Sequence, residues 1–246
     1  MKLYGLIGYP LGHSFSKKYF AEKFLKEGIT DCRYELFAIP SIKDISLIIN
    51  SNPDLKGLNV TIPYKQKVLE YVNETTDDVK NIGAANTIKF DGEKIIAYNT
   101  DVIGFENSLA QKIKPFHKKA LVLGTGGSSK AIQYVLKKLE IDFLVVTRDE
   151  NLKEGFINYS MIDEAIIKDY QLIINCTPVG MYPNDKEYPQ LPYKFLSDQH
   201  YLYDLIYKPE KTLFLKRGEE RGATIQNGLD MLTIQAEESW KIWNTD

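Results

Sequence analysis

Residues 118–136, KKALVLGTGGSSKAIQYVL, set an aliphatic run, a glycine cluster and an amphipathic stretch in the order strand, turn, helix. No other feature constrains the chain as much, because this is the order that a dinucleotide-binding βαβ unit requires. Gly124 permits the tight turn, Gly126 lets the backbone approach a pyrophosphate, and the amides opening the helix offer donors and a partial positive charge. Ser129 stands where a third glycine completes the fingerprint, so the letters alone also fit a structural loop. No GK[ST] ends the cluster, which excludes a P-loop. At the close of the next strand, VVTRD, Arg148 occupies the neighbourhood where an NAD site carries a carboxylate for the ribose. A guanidinium suits a 2′-phosphate, so NADP is the expected cofactor; Asp149 beside it keeps NAD open, and a solvated arginine is the plain alternative.

The rest of the chain keeps the alternation. KLYGLIG, CRYELFAI, LKGLNVTI, FLVVT, LIINCT and YLYDLIY read as strands, and SKKYFAEKFLKEG, SIKDISLIIN, KQKVLEYV, TLFLKRGEERG and LDMLTIQAEESWKIW as amphipathic or helical stretches. AANTIKFD and KIIAYNTD read as a strand pair around the turn at Asp91-Gly92, ATIQ as a short strand, and the segment between FLVVT and LIINCT as a polar stretch. The class is α/β, and 246 residues of which 43% are hydrophobic suit two lobes. A hinge is expected near residues 103–116, where Gly104 and Pro115 flank a short polar helix.

The formal net charge of −2 and the lack of a basic cluster argue against nucleic acid or anionic membrane as partners and for a small molecule. The opening is not signal-like and no apolar run approaches a membrane span, so a cytoplasmic protein is expected. Cys32 and Cys176 lie in different segments without metal spacing and are expected as buried reduced thiols, with no metal site. No apolar heptad marks an interface, which leaves monomer and homodimer both open.

Four further stretches carry polar residues in telling places. In NVTIPYKQKV, residues 59–68, Asn59 and Thr61 alternate with Val60 and Ile62, a period that puts the polar pair on one strand face. Pro63 fits the first position of a helix, which sets Lys65 in the first turn, where the helix dipole disfavours a cation. A lysine so badly placed for stability is a candidate for chemistry. GYPLGHSFS approaches a G-x-S-x-G elbow but puts Ser16 in place of the last glycine, so a hydrolase nucleophile is not expected. Ser14 and Ser16 either cap the following helix or present hydroxyls to an anionic ligand. Asn86 in AANT and Asp101 in AYNTD each follow an apolar strand, a place taken more often by a turn residue than by a ligand, so singly they mean little.

Taken in chain order, GYPLGHSFS, NVTIPYK, GAANT, NTD, GTGGSSKA, NCTPVGM, DLIYKP and NGLDMLTIQA cover nearly the whole chain, and the run resembles the shikimate dehydrogenases. The resemblance implies an open α/β substrate-binding domain, residues 1–103 completed by the C-terminal helix 228–246, and a Rossmann NADP-binding domain, residues 104–227. It implies reduction of 3-dehydroshikimate to shikimate with NADPH, on the route to chorismate and the aromatic amino acids. Lys65 is then the general acid and base at the substrate's C3 oxygen, paired with Asp101. Hydride addition to a ketone builds negative charge on oxygen, which a positioned ammonium relieves by giving up a proton. By the same resemblance Ser14 and Ser16 hold the substrate carboxylate with Tyr207, while Asn59, Thr61, Asn86, Asp101 and Gln235 bond the ring hydroxyls. Gly124, Gly126, Gly127 and Ser128 form the pyrophosphate turn, Thr147 and Arg148 the adenosine-phosphate end, and Thr177, Gly228 and Met231 part of the nicotinamide environment. Met231 and Gln235, four apart on one helix, share a face.

The chain departs from the family pattern at several positions. Lys17 and Phe20 replace a usual proline and asparagine after the serines, and Lys130 replaces an arginine in the glycine turn. Thr147-Arg148-Asp149 replaces Asn-Arg-Thr, which adds a carboxylate that repels phosphate and weakens the NADP preference. Two other readings follow from these residues: a quinate/shikimate dehydrogenase using NAD, and a non-catalytic sensor that binds shikimate-like ligands. Lys65 with Asp101 argues against the sensor, since a pure binder has no need of a proton-transfer pair.

Overall fold

In the computed structural model, residues 1–12 and 14–245 are described, so His13 of GYPLGHSFS and Asp246 of the expected C-terminal helix lie outside the described residues. The chain divides into two compact units: Met1–Thr100 with the chain from Gln235 onward, and Asp101–Ile234.

The first unit runs β1 (Lys2–Gly8), α1 (Phe15–Glu27), β2 (Cys32–Ala38), α2 (Ile45–Ser51), β3 (Leu55–Val60), β4 (Glu74–Thr75), α3 (Asp77–Ile82), β5 (Thr87–Asp91) and β6 (Lys94–Tyr98). Its mixed sheet has the order β2-β1-β3-β5-β6-β4, parallel from β2 through β3 and antiparallel across β3, β5 and β6. Period-2 alternation sends successive β1 side chains to opposite layers. Leu3 and Ile7 join an aliphatic cluster with Leu58, Val60, Ile88 and Ala97. Tyr4 and Leu6 face an aromatic layer made by Phe20 and Phe24 of α1 with Trp243 near the chain's end. Tyr4 stacks on Trp243 at 4.8 Å between ring centroids, a pairing that adds about 0.5–1.5 kcal/mol beyond area burial. The Trp243 indole N–H donates to Ile88 O at 2.9 Å, and Lys23 pairs with Glu237 at 2.9 Å. These contacts fix the chain's last residues to the first sheet.

The second unit runs α4 (Asp101–Leu109), β7 (Lys119–Leu123), α5 (Gly127–Lys138), β8 (Asp142–Thr147), β9 (Phe156–Asn158), α6 (Glu164–Asp169), β10 (Leu172–Asn175), β11 (Tyr201–Asp204), α7 (Leu213–Glu219), β12 (Thr224–Gln226) and the start of α8 (Leu229–Asn244). All its strands are parallel, in the order β9-β8-β7-β10-β11-β12. Counted within the unit this is 3-2-1-4-5-6, the doubly wound Rossmann order, whose direction reverses between β7 and β10. The strands are fully buried where they cross the centre, through Leu121, Leu123, Val146, Ile173 and Leu202. Buried parallel strands read as continuous apolar runs, which is why ALVL and LIIN stood out in the sequence.

Four local readings are corrected. KQKVLEYV forms no α-helix: Thr61 O accepts from Tyr64 N at 2.9 Å across a turn containing a cis Ile62–Pro63 peptide, and a short 3₁₀ run, Lys67–Tyr71, follows. Tyr64 and Val68 are both drawn into the core, and Tyr64 ties itself to Ile39 O at 2.6 Å. Lys65 therefore does not stand at the start of an α-helix, and no helix dipole acts on it there. Ile62, read onto the apolar face, is 65% exposed because β3 ends at Val60. Gly104 sits inside α4, whose Val102, Phe105 and Leu109 are buried, so the helix is amphipathic rather than polar. The polar stretch after β8 holds β9 and α6, too short for periodicity to reveal.

Cys32 and Cys176 are free and only half-buried, against the expectation of full burial. No described helix is long and apolar enough to cross a membrane. Among the described residues no cluster of three His, Cys, Asp or Glu side chains could hold a metal ion.

Candidate active site

In the first unit a buried hydrogen-bonded circuit gathers residues scattered from 16 to 239. Ser16 in α1 bonds the Tyr34 hydroxyl, which donates to Asn59 Oδ1 at 2.8 Å. With its oxygen held by Tyr34, the Asn59 amide turns its nitrogen toward Ser239 Oγ at 2.9 Å and Thr87 Oγ1 at 3.2 Å. Asn86 Oδ1 accepts the Thr100 N–H at 2.7 Å, while Asn86 Nδ2 donates to Thr100 Oγ1 at 3.0 Å and Gln235 Oε1 at 3.2 Å. Asn59, Asn86 and Gln235 are all buried, and a buried amide left unbonded costs about 1–3 kcal/mol, so the circuit locks their orientations. Burial pushes the Tyr34 phenol up, which keeps its proton on the bridge.

Ser14 occupies the N-cap position of α1 yet makes no capping bond. Its buried hydroxyl has no hydrogen-bond partner among the described residues, an orphan that fits a site awaiting a polar ligand. Capping is thus not what either serine does. Thr61 follows β3 directly, half-buried, with its N–H on Ile7 O at 3.0 Å. Lys65, also half-buried, gives its carbonyl to Ala85 N at 2.7 Å, which fastens the lysine's turn to the segment carrying Asn86. Asn59, with Tyr34 on its oxygen and Ser239 and Thr87 on its nitrogen, is a hub of the circuit, and its oxygen keeps a second acceptor site.

In the second unit the cofactor candidates meet at the carboxyl ends of β7 and β10, where the strand order reverses. Gly124 has φ +103°, a left-handed conformation that favours glycine, and a Cβ there would stand 2.9 Å from the Thr177 methyl. Gly126 is the N-cap of α5 and has open space where a Cβ would project. Gly127 and Ser128 begin that twelve-residue helix, so their amides lie in its first turn. Ser129, in place of the third glycine, is fully buried and donates to Gly124 O at 2.6 Å, which staples the turn. The open front of the turn and the helix start behind it suit a pyrophosphate.

Thr147 ends β8, and Arg148 and Asp149 after it are exposed. Asp149 Oδ1 accepts from Asn151 N at 3.0 Å, so this carboxylate is engaged within its own loop. Asp101 opens α4 and is buried; together with Asp204 its charge adds to burial in pushing the Cys176 thiol up, which places Asp101 near the loop after β10. Gly228 packs so closely on Leu205 that a Cβ would overlap the Leu205 carbonyl. Tyr207, two residues after Leu205, is half-buried, and Met231, buried, lies on α8 as does Gln235.

Sequence reasoning passed over Tyr34, Thr87, Thr100 and Ser239 in the first unit and Asn175, Asp204 and Thr212 in the second. Asn175 and Asp204 stood inside the quoted motifs NCTPVGM and DLIYKP, which was a usable signal. Nothing in the pattern around Tyr34 or Ser239 distinguishes them from core residues.

Comparison with known proteins gives the family. Residues 6–88 match the shikimate dehydrogenase substrate binding domain. An NADP(+) shikimate dehydrogenase of Caldicellulosiruptor saccharolyticus is 38% identical, with 98% of this chain and 91% of that protein covered. Among solved structures, a shikimate dehydrogenase in complex with NADP+ superposes with a TM-score of 0.87 at 30% identity, covering 99% of this chain and 90% of that one. A Thermus thermophilus shikimate 5-dehydrogenase in complex with NADP(H) and shikimate gives 0.87 at 26% identity, covering 99% and 94%.

Proposed function

The chain belongs to the shikimate dehydrogenase family, and from that membership we propose that it reduces 3-dehydroshikimate to shikimate with NADPH. The observation carrying this reading is the circuit from Ser16 through Tyr34, Asn59 and Asn86 to Gln235, which pre-orients side chains for a small polyhydroxy acid. NADP(H), when bound, supplies or accepts the hydride at C3. The chain's own residues do the rest. Ser14 and Ser16, with Tyr207, hold the carboxylate; Asn59, Thr61, Asn86, Asp101 and Gln235 orient the ring hydroxyls. Lys65 gives a proton to the C3 oxygen as charge develops there, and takes it back in the reverse direction. Asp101 orients the amine.

On the cofactor side, Gly124, Gly126, Gly127 and Ser128 receive the pyrophosphate and Thr147 and Arg148 the 2′-phosphate, with Thr177, Gly228 and Met231 near the nicotinamide. The Arg148 guanidinium, suited to a 2′-phosphate, favours NADP over NAD, with the Asp149 carboxylate beside it working the other way. Residues 1–103 with 228–246 serve the substrate, residues 104–227 the cofactor, and the enzyme works in the cytoplasm.

The test is the initial rate of cofactor reduction by shikimate and by quinate, each with NADP+ and NAD+. Activity with shikimate and NADP+ well above the other three pairs is expected. Equal efficiency with quinate or NAD+ would move the protein to the broader-specificity reading, and binding of both ligands without hydride exchange would make it a sensor.

A further inference from the structure

Asp204 ends β11 with no solvent exposure, and the reaction outlined above makes no use of it. Its two oxygens hold three donors. Oδ1 accepts from Asn175 Nδ2 at 3.0 Å and from Ile206 N at 3.0 Å, and Oδ2 accepts from the Thr212 hydroxyl at 2.6 Å. Asn175 ends the neighbouring strand in register with Asp204. Because its nitrogen is held by the carboxyl, its oxygen faces the following loop, where it accepts from Thr177 N at 3.0 Å and from the Thr177 hydroxyl at 2.6 Å. The Thr177 methyl in turn lies against Gly124, in the space that a side chain at that position would need.

The relay runs through three adjacent strand ends, β11, β10 and β7, to the point where a dinucleotide binds in a doubly wound sheet. Its direction is set by Thr177 N, which can only donate, and by Val179 O, which accepts from Asn175 Nδ2 at 3.4 Å; position 204 has to match it. Both donors of the Thr177 hydroxyl and amide need an oxygen, so Asn175 must present oxygen forward and nitrogen back, and the residue behind it must be an acceptor. A carboxyl meets that condition whether ionised or not. Oδ1 already receives two N–H groups, so a proton can sit only on Oδ2, where the Thr212 hydroxyl accepts it. An apolar side chain would fill the same buried volume without a desolvation cost, and it would leave Asn175 Nδ2 with only its 3.4 Å bond to Val179 O, a long and weak tether for the amide.

Resting on the cofactor reading above, we propose that Asp204 is a positioning residue of the cofactor site, holding Thr177 and the Gly124 turn in place through the Asn175 amide. The test measures NADP+ affinity by calorimetric titration, with KM for each substrate, in the intact chain. Asp204→Ala is expected to weaken NADP+ binding about tenfold and raise the KM for NADP+ likewise, with the KM for shikimate at saturating NADP+ within about twofold. Asp204→Asn keeps an acceptor toward Asn175 and Ile206 and a donor toward Thr212, so it is expected to bind NADP+ within about twofold of the parent. A purely structural carboxyl would lower the melting temperature and leave the NADP+ affinity of the folded protein alone. Folded Asp204→Ala with parental NADP+ affinity would therefore overturn the proposal, as would an equal loss in Asp204→Asn. Should Asp204→Ala not fold, Asn175→Ala leaves Asp204 its other two bonds and carries the same expected loss, with unchanged affinity again the contrary result. Parental protein that binds no NADP+ at all would instead overturn the cofactor reading, and this inference with it.

Discussion

Tyr34, on β2, donates its hydroxyl hydrogen to Asn59 Oδ1 at 2.8 Å and is itself bonded by Ser16, so a fully committed phenol joins α1 to β3 at the centre of the first unit. Phe20 stacks on the Tyr34 ring at 4.5 Å between centroids, which holds the hydroxyl in line. Tyr34→Phe keeps the packing and removes the bridge. It is expected to cost about 1–2 kcal/mol of stability, as a buried acceptor left unpaired does, and to raise the KM for shikimate several-fold with kcat little changed. Urea unfolding and steady-state kinetics on the same preparation check both parts; an unchanged KM would separate Ser16 and Asn59 from substrate binding.

Lys65→Ala is expected to lower turnover by on the order of 10²- to 10⁴-fold, the usual loss for a general acid and base. Shikimate affinity, measured by titration without turnover, should change far less. Turnover close to the parent's would remove Lys65 from the chemistry.

The two glycines of the turn should separate stability from binding. Gly124→Ala puts a side chain at φ +103° against the Thr177 methyl, and is expected to lose about 1–3 kcal/mol of stability. Gly126→Ala, at φ −72° with open space before it, should melt with the parent yet bind NADP+ at least about tenfold more weakly, because its methyl enters the space that the pyrophosphate needs. Thermal melts and NADP+ titrations of both variants decide the matter, and parental NADP+ affinity in Gly126→Ala would place the pyrophosphate elsewhere.

Burial pushes the Asp204 carboxyl up from 3.8 to about 7, against the pull of its three hydrogen bonds. Between about pH 4 and 7 the native state therefore holds a proton that the unfolded chain has released. Native protein binds more protons there, so the stability contributed by this group is complete below pH 4 and declines as pH rises through 7. Relative to Asp204→Asn, which cannot titrate, parental stability should fall by up to about 1.4 kcal/mol per pH unit across that window. Unfolding free energies of the two proteins at pH 5, 6, 7 and 8 give the comparison, and a constant difference would contradict it.

Periodicity and turn chemistry are local, so what depends on them was legible along the chain: the βαβ order around Gly124, the β5–β6 pair at Asp91-Gly92, and helix α1 ending at Gly28. Lys65 was singled out for a reason that the fold does not support, since no α-helix begins at Pro63. The motif order pointed to it independently. The setting of the Asn59 amide was not legible along the chain, because the partners that orient it, Tyr34, Thr87 and Ser239, come from three separate segments.

By itself, then, the sequence determined the α/β class, the glycine turn after β7 and the family, and it nominated the candidate site residues, because strand and helix periods and short glycine motifs act over a few residues. Only the tertiary structure decided which polar groups are partners. A buried amide or carboxyl takes its orientation from donors and acceptors that arrive from distant segments, as Ser239 does for Asn59 and Thr212 for Asp204. Sequence spacing carries no record of those contacts, and the cost of an unmet buried hydrogen bond enforces them only once the chain has folded.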